Sequence, residues 1–305
     1  MKVFVTGATG FVGREILRQF LAAGHEVRIL ARQLVASSVR EISPPPKIEV
    51  HYGNALDAHS LKGSLDGIDA VVHLVGIISE IGANTFENVH TRGTENMVNA
   101  ARSSGVKRFV QMSALGVRPN AESRYHQSKW AAEKIVRGSG MDFTIFRPSI
   151  IYGREDQFVN LFARLSRWSP ILPVMGRGEG TLQPIRVEDV AQCFVMSLAE
   201  PHSIGQSYDL CGPDILTLPE ILKTICVVTG RKRFQTHIPL SIARCLAAFM
   251  EFVFPLLLRK APPLNRDQLI MLEEKVIGNG EPATELFKIA PPHFREGITS
   301  YLQPI

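Results

Sequence analysis

Tyr125 and Lys129 stand four residues apart in a segment, Tyr125 to Val136, whose pattern predicts helix, so their side chains leave one face one turn apart. An ammonium beside a phenol favours the tyrosinate, lowers the phenol's pKa and makes it a proton donor or acceptor near neutral pH. That spacing is common on any helix; what selects this pair is its place after an apolar strand, Arg108 to Met112. Ser113 follows that strand and is a candidate hydrogen-bond donor to a substrate carbonyl. His126 points about a third of a turn from Tyr125 and is expected on the surface or rim rather than as a base. No His/Glu spacing suggests a metal site.

The start of the chain carries a second pattern, one that suits a dinucleotide phosphate. Val3-Phe4-Val5-Thr6-Gly7-Ala8-Thr9-Gly10-Phe11-Val12-Gly13 is an apolar strand, a glycine-rich corner and the entry to a helix that continues with Ile16, Leu17, Phe20 and Leu21 at helical spacing. Gly7 permits the tight turn, Gly10 lets the backbone approach a pyrophosphate, and Gly13 lets the helix pack closely on the strand. The helix start offers unpaired N–H groups to the anion. The second strand, Glu26 to Ala31, ends at Arg32 where an NAD site usually carries a carboxylate; a guanidinium there suits a 2′-phosphate, so NADP is expected, with NAD as the other option.

Further strands are predicted at Ile48–His51, Ala70–Leu74 and Phe143–Phe146, with a stiff loop at Ser43-Pro44-Pro45-Pro46 and a helix from Thr94 to Ala101. Strands alternating with helices imply an α/β fold, a Rossmann doubly wound parallel sheet whose ligand crevice lies at the carboxyl ends of the strands. Gly7, Arg32, Asn54, Val75, Ser113 and Pro148 are then expected along one cleft. The chain of 305 residues, 45% apolar and 21% charged, can bury a full core. The net charge of +5 suits an anionic cofactor, and no basic run with interleaved aromatics points to nucleic acid. Cys193, Cys211, Cys226 and Cys245 lack ligand spacing and are expected as reduced packing residues. The sequence enters its first strand directly after Met1-Lys2, from which a cytoplasmic protein is expected.

Together these residues resemble a family. TGATGFVG at the start, DAVVHLVG over Asp69–Gly76, the Asn88–Asn96 helix start, VKRFVQMSALG over Val106–Gly116, the Tyr125/Lys129 pair and RPSIIYG over Arg147–Gly153 are similar to the extended and atypical short-chain dehydrogenase/reductases, the NAD-dependent epimerase/dehydratase type. Gly176-Arg177-Gly178, Gln183–Ala191, Tyr208–Pro213 and a proline-flanked C-terminal helix narrow the resemblance to bacterial relatives of the NDUFA9 accessory subunit of respiratory complex I, a subfamily that includes proteins holding a nucleotide without known turnover. The resemblance implies a nucleotide-binding domain over 1–150 and a smaller mixed α/β lobe over 151–305, with the chain crossing between them. It implies Tyr125, Lys129 and Ser113 as catalytic residues. It also implies a cofactor site of Gly7, Thr9, Gly10, Phe11, Val12, Gly13, Arg32, Asn54, Ala55, Leu74, Val75, Gly76, Lys129, Pro148 and Ile151, with Lys129 on the nicotinamide ribose and His73 packing nearby. The chain departs from the pattern where many extended relatives carry their catalytic hydroxyl, having Ala114 and Leu115, so the triad is incomplete if Ser113 is displaced.

In the second half, Phe158, Leu161, Phe162 and Leu165 share helical spacing and are expected in the core, and Arg186 is a candidate for anion contact or an ordinary ion pair. Ile238 to Leu258 is nearly continuous in apolar residues, with one narrow polar stripe of Ser241, Arg244 and Glu251. The central charges and Pro255 argue against a membrane span. Two readings remain: a helix pair buried in the small lobe, or an interfacial helix that contacts a partner complex or the membrane periphery, flanked by Arg231-Lys232-Arg233 and Arg259-Lys260. The function expected is an NADP(H)-dependent oxidoreductase acting on a carbonyl, quinone or sugar-like substrate, with a catalytically silent NADPH-holding accessory protein of a membrane respiratory complex as the alternative.

Overall fold

The computed structural model describes residues 1–32 and 48–302, so the expected Ser43–Pro46 loop lies outside the described residues. β1 (Lys2–Thr6) is apolar on both faces because both are covered. Val3 and Val5 enter one core cluster and Phe4 the other, all with no exposed surface. The remaining strands are β2 (Glu26–Ala31), β3 (Ile48–Tyr52), β4 (Ala70–His73), β5 (Arg108–Met112), β6 (Asp142–Pro148), β7 (Ile151–Tyr152), β8 (Ile171–Met175), β9 (Thr181–Leu182), β10 (Ile185–Arg186), β11 (Gln206–Leu210), β12 (Leu216–Thr217) and β13 (Phe234–Ile238). Seven of them form one sheet in the order β11-β6-β5-β4-β1-β2-β3, with every neighbouring pair parallel. The order reverses between β1 and β4, the position at which a doubly wound sheet opens a crevice at its carboxyl edge.

Helices cover both faces. α1 (Phe11–Ala22) buries Gly13, Ile16, Leu17 and Phe20. α2 (Gly93–Ser103) and α3 (Arg124–Arg137) lie on the opposite face, where Met97, Val98 and Val136 join Phe4, Val71 and Phe109 in one cluster. The helix predicted from Thr94 begins earlier, as a π-helical turn over Glu87–Arg92 that runs directly into α2. Next come α4 (Val159–Trp168), α5 (Val187–Ser197), α6 (Leu218–Val228), α7 (Leu240–Val253), α8 (Arg266–Glu273), α9 (Glu281–Phe287) and α10 (Phe294–Thr299).

The second half of the chain is shared between two structures. α5 packs with α1, where Val190, Ala191 and Phe194 enter the same cluster as Ile16 and Phe20, and β11 extends the main sheet. The rest forms three small pairs: β7 with β10, β9 with β12, and β8 with β13. Phe158 and Phe162 pack into the core beneath α4, whereas Leu161 and Leu165, expected there too, face outward because the helix covers only one side.

The buried reading of 238–258 does not hold. Only Ala243 and Ala247 of α7 are buried, against Leu269 of α8, and the larger apolar side chains stand outside. Cys245 is exposed on the same helix, against the packing role expected for it; the other three cysteines are buried.

Candidate active site

The parallel sheet puts the expected cofactor residues along one edge. Gly7 follows β1, Arg32 follows β2, Asn54 and Ala55 follow β3, Leu74, Val75 and Gly76 follow β4, Ser113 follows β5, and Pro148 closes β6 with Ile151 just beyond. Gly7 has φ +73, and a Cβ there would crowd the Leu74 carbonyl at 3.1 Å. A Cβ on Gly13 would overlap the Gly7 carbonyl oxygen and lie 2.7 Å from Ala8 Cα. These two glycines therefore let α1 and β4 close on the turn, leaving Thr9, Gly10, Phe11 and Val12 at the mouth of the helix. The cradle fits a dinucleotide pyrophosphate. Arg14 adds a cation in the first turn: it pairs with Glu155, and its Nε is buried without a partner. Asn54 is spent locally, its Oδ1 accepting from Leu56 N at 3.1 Å. Arg32 is exposed at the end of β2.

Lys129 is only 3% exposed, and its Nζ donates to the Met112 carbonyl at 3.2 Å. A Cβ on Gly76 would lie 3.1 Å from that Nζ, so Gly76 brings bare backbone up to the ammonium. Burial pushes the Lys129 ammonium down to about 8, against an opposing pull from Glu133. Two histidines crowd the same charge. His90, on the π-helical turn, accepts from Ile77 N at Nε2 (3.0 Å), so its proton sits on Nδ1, which donates to Ser128 Oγ at 2.8 Å. Ser128 Oγ in turn donates to the Tyr125 carbonyl at 2.7 Å. His73 Nδ1 lies 2.8 Å from Thr6 Oγ1, and its Nε2 is buried without a partner. Burial first, and Lys129 second, push His90 to about 2 and His73 to about 3, so both imidazoles are neutral.

Tyr125 is half-buried, its ring edge-on to Phe86 (5.8 Å), His90 (5.3 Å) and His126 (5.5 Å). The lowered phenol pKa expected from Lys129 is not what this site has. Burial, then the Asp267 carboxylate, push Tyr125 up to about 12, and the phenol is neutral at physiological pH. His126 is buried rather than at the rim, because the turn at Gly116 closes over its ring.

Ser113 is brought to the edge but not into the service expected of it. Its hydroxyl donates to Glu133 Oε1 at 2.6 Å, and Glu133 is fully buried between Arg147, which grips both carboxylate oxygens at 2.8 and 2.6 Å, and Arg137. A hydroxyl has one proton, and this one is committed. Burial alone would raise the Glu133 pKa; the hydrogen bonds from Arg147 and Ser113 outweigh it, and the carboxylate stays ionised. Arg186 is an ion-pair partner, with two 3.0 Å bonds to Asp189.

Sequence reasoning missed three contributors: His90, Glu133 and Asp267. Asp267, on α8, caps α3 by accepting from Arg124 N (2.7 Å) and Tyr125 N (3.0 Å). A carboxylate arriving from 142 residues downstream leaves no local signal, whereas Glu133, four residues after Lys129 on the buried face of α3, was open to the same helical-spacing argument. Beside this cap a cavity of ≈ 650 Å³ is lined by Glu80, Phe86, Arg124, Arg244, Glu251, Arg266 and Asp267, among others. Among the described residues there is no cluster of three or more His, Cys, Asp or Glu placed to hold a metal.

A family model described as NAD(P)H-binding matches residues 7–201, and the chain belongs to that family. Within it the chain is of the extended short-chain dehydrogenase/reductase, NDUFA9-like kind. It is 30% identical over 281 residues to the NADH dehydrogenase (ubiquinone) 1 alpha subcomplex subunit 9 of Arabidopsis thaliana, covering 88% of this chain and 67% of that protein. It is 32% identical over 238 residues to a ceramide reductase of Caulobacter vibrioides, covering 78% and 73%. The chain spans 64% of the length of the mouse subunit 9. Among solved structures, DesIV, a dTDP-glucose 4,6-dehydratase from Streptomyces venezuelae with NAD and TYD bound, shares the fold at a TM-score of 0.75 and 21% identity, covering 99% of this chain and 96% of that one.

The neutral histidines set a pH dependence. Both have folded pKa values below the ordinary 6.5, so below that pH the unfolded chain takes up two protons that the folded chain refuses. Stability is full above pH 6.5 and falls as the pH drops, by up to about 2.7 kcal/mol per pH unit for two protons. Urea unfolding between pH 7 and pH 5 measures the slope. His90→Gln, which keeps an acceptor and a donor, is expected to remove about half of the contribution of this pair.

Proposed function

We propose that the protein is an NADP(H)-dependent oxidoreductase that reduces a carbonyl, quinone or sugar-like substrate, with Tyr125 as the proton donor. The observation that carries this reading is the buried face of α3. There Tyr125 and Lys129 stand one turn apart, the ammonium beside Gly76 just beyond β4 and the neutral phenol's ring packed against Phe86, His90 and His126. A bound nicotinamide supplies or accepts hydride. Tyr125, protonated up to about pH 12, gives its proton to the substrate oxygen, which suits the reductive direction. Lys129 holds the ribose hydroxyls and keeps a positive charge beside the phenol while it is deprotonated. Arg32, exposed at the end of β2, supports a 2′-phosphate and hence NADP over NAD. The substrate oxygen has no second donor from Ser113, and a missing positioned donor costs about a hundredfold in rate.

The commitment of Ser113 to Glu133 supports a second reading, in which NADPH is held without turnover and stabilises an accessory protein of a membrane respiratory complex. The exposed α7 and the names of several relatives favour that setting. In it, residues 238–258 contact the complex or its membrane, and the protein sits on the cytoplasmic side, peripheral to the inner membrane.

The two readings separate by nicotinamide absorbance. Under the first, a panel of carbonyls and quinones contains at least one compound that oxidises bound NADPH, and Tyr125→Phe lowers that rate about a hundredfold or more with nucleotide affinity unchanged. Turnover that is unaffected by Tyr125→Phe contradicts the mechanism, and no oxidation by any compound favours the second reading. Cofactor choice has a separate check: Arg32→Asp is expected to weaken NADPH about tenfold and NADH little, and equal effects on the two remove the case for NADP.

A further inference from the structure

α7 and the turn that extends it cover 19 residues, Leu240–Leu258, long and apolar enough to cross a membrane by composition alone. Its surroundings do not let it cross. Ala243 and Ala247 are packed on Leu269, and Glu251 holds Arg266 of α8 through both carboxylate oxygens, at 2.7 Å to the backbone N and 2.8 Å to Nε. The inner side of the helix is therefore pinned to the protein, and Arg244 and Glu251, its polar stripe, line the cavity beside Tyr125.

The outer side is the reverse of an ordinary surface helix. Ile242, Leu246, Phe249, Phe252 and Leu256 follow one another at intervals of four, three, three and four residues, one continuous helical stripe, with Phe249 63% and Phe252 70% exposed. Contiguous apolar surface of this kind marks an interaction site rather than a monomer's exterior. Its charges give the partner's sign. The one carboxylate of the segment, Glu251, is neutralised by Arg266, while Arg259 and Lys260 stand exposed at its end and Lys232 stands exposed before it. An apolar stripe flanked by exposed cations matches a lipid surface bearing negative headgroups, where rings enter the acyl boundary and ammonium and guanidinium groups meet phosphates.

We infer that α7 and its extension lie flat on an anionic bilayer, with the apolar stripe in the headgroup boundary and the polar stripe facing the cavity. This deepens the contact reading given above for residues 238–258 and commits it to lipid. α8 carries the arrangement to the site: Asn265 Nδ2 donates to the Ile78 carbonyl (2.8 Å) beyond Gly76, and Asp267 caps α3 at Tyr125. One helix thus forms both the lipid-facing surface and a wall of the cavity at the start of α3, so the bilayer lies beside that cavity.

Co-sedimentation of the full chain with phosphatidylcholine vesicles, with and without one quarter phosphatidylglycerol, tests this at low and high salt. Binding is expected to be at least tenfold stronger to the anionic vesicles, to weaken with salt, and to fall at least tenfold in Phe249→Asp and Phe252→Asp. Both positions lie outside the nucleotide cleft, so NADPH fluorescence on binding is expected to be unchanged in the variants and shows that they are folded. Wild-type protein that stays in the supernatant with anionic vesicles overturns the inference, as does undiminished binding by the variants. Sedimentation as a dimer that Phe249→Asp dissociates, without vesicle binding, overturns it in favour of a second copy. None of these outcomes depends on turnover, so failure here is distinct from failure of the oxidoreductase reading.

Discussion

Among the described residues one lysine ammonium is held inside this protein without a carboxylate of its own. Lys129 is buried, its hydrogen-bond partner is a backbone carbonyl, and the carboxylate one turn away, Glu133, is occupied by Arg147, Arg137 and Ser113. Burying a charge that is not fully paired is costly, and the surroundings show the consequence. Burial first and Lys129 second keep His73 and His90 neutral, burial draws down the ammonium's own pKa, and Gly76 has no side chain where backbone comes close to it. A site that bears such a cost in its free form is one that an anionic, hydroxyl-rich ligand relieves.

The rest of the architecture serves to keep that charge at the crevice. The parallel sheet ends β1, β4 and β5 on one edge; the glycine turn at Gly7 and Gly13 lets α1 approach; and α3 is fixed from below by the Glu133 network and from its start by Asp267. The Asp267 cap links α3 to the segment that carries the exposed α7. The glycine turn that fits a pyrophosphate belongs to the sheet, and the groups that cap α3 and line the neighbouring cavity come from residues far along the chain.

Much of the sheet was legible because strands such as β1 and β4 are apolar runs between turn signals, whereas β11, Gln206–Leu210, has no such run and was not foreseen. β2 and β5 have the predicted bounds, and β1, with Phe4 on one face and Val3 and Val5 on the other, reads as a doubly covered strand directly. The nucleotide cradle was legible for the same reason, since its chemistry lies in local backbone. What was not legible depends on contacts between distant segments. The state of Tyr125 is set by burial and by Asp267, the commitment of the Ser113 hydroxyl by Glu133, and the placement of His126 by the turn at Gly116. The apolar run at 238–258 has the composition of a core helix, and only the fold shows that just two alanines of α7 meet the core.

The most direct measurement of the central claim is nucleotide affinity against pH. Lys129 loses its proton in the free protein at a pKa of about 8, and under the proposed reading, in which Lys129 holds the nucleotide ribose, a bound dinucleotide stabilises the charged form. NADPH affinity is therefore expected to hold below that pH and to fall, by up to about tenfold per unit, as the pH rises above it. Lys129→Met is expected to bind weakly, with no such inflection. An affinity that stays flat through this range, or a Lys129→Met protein that binds with the wild-type profile, would contradict the account.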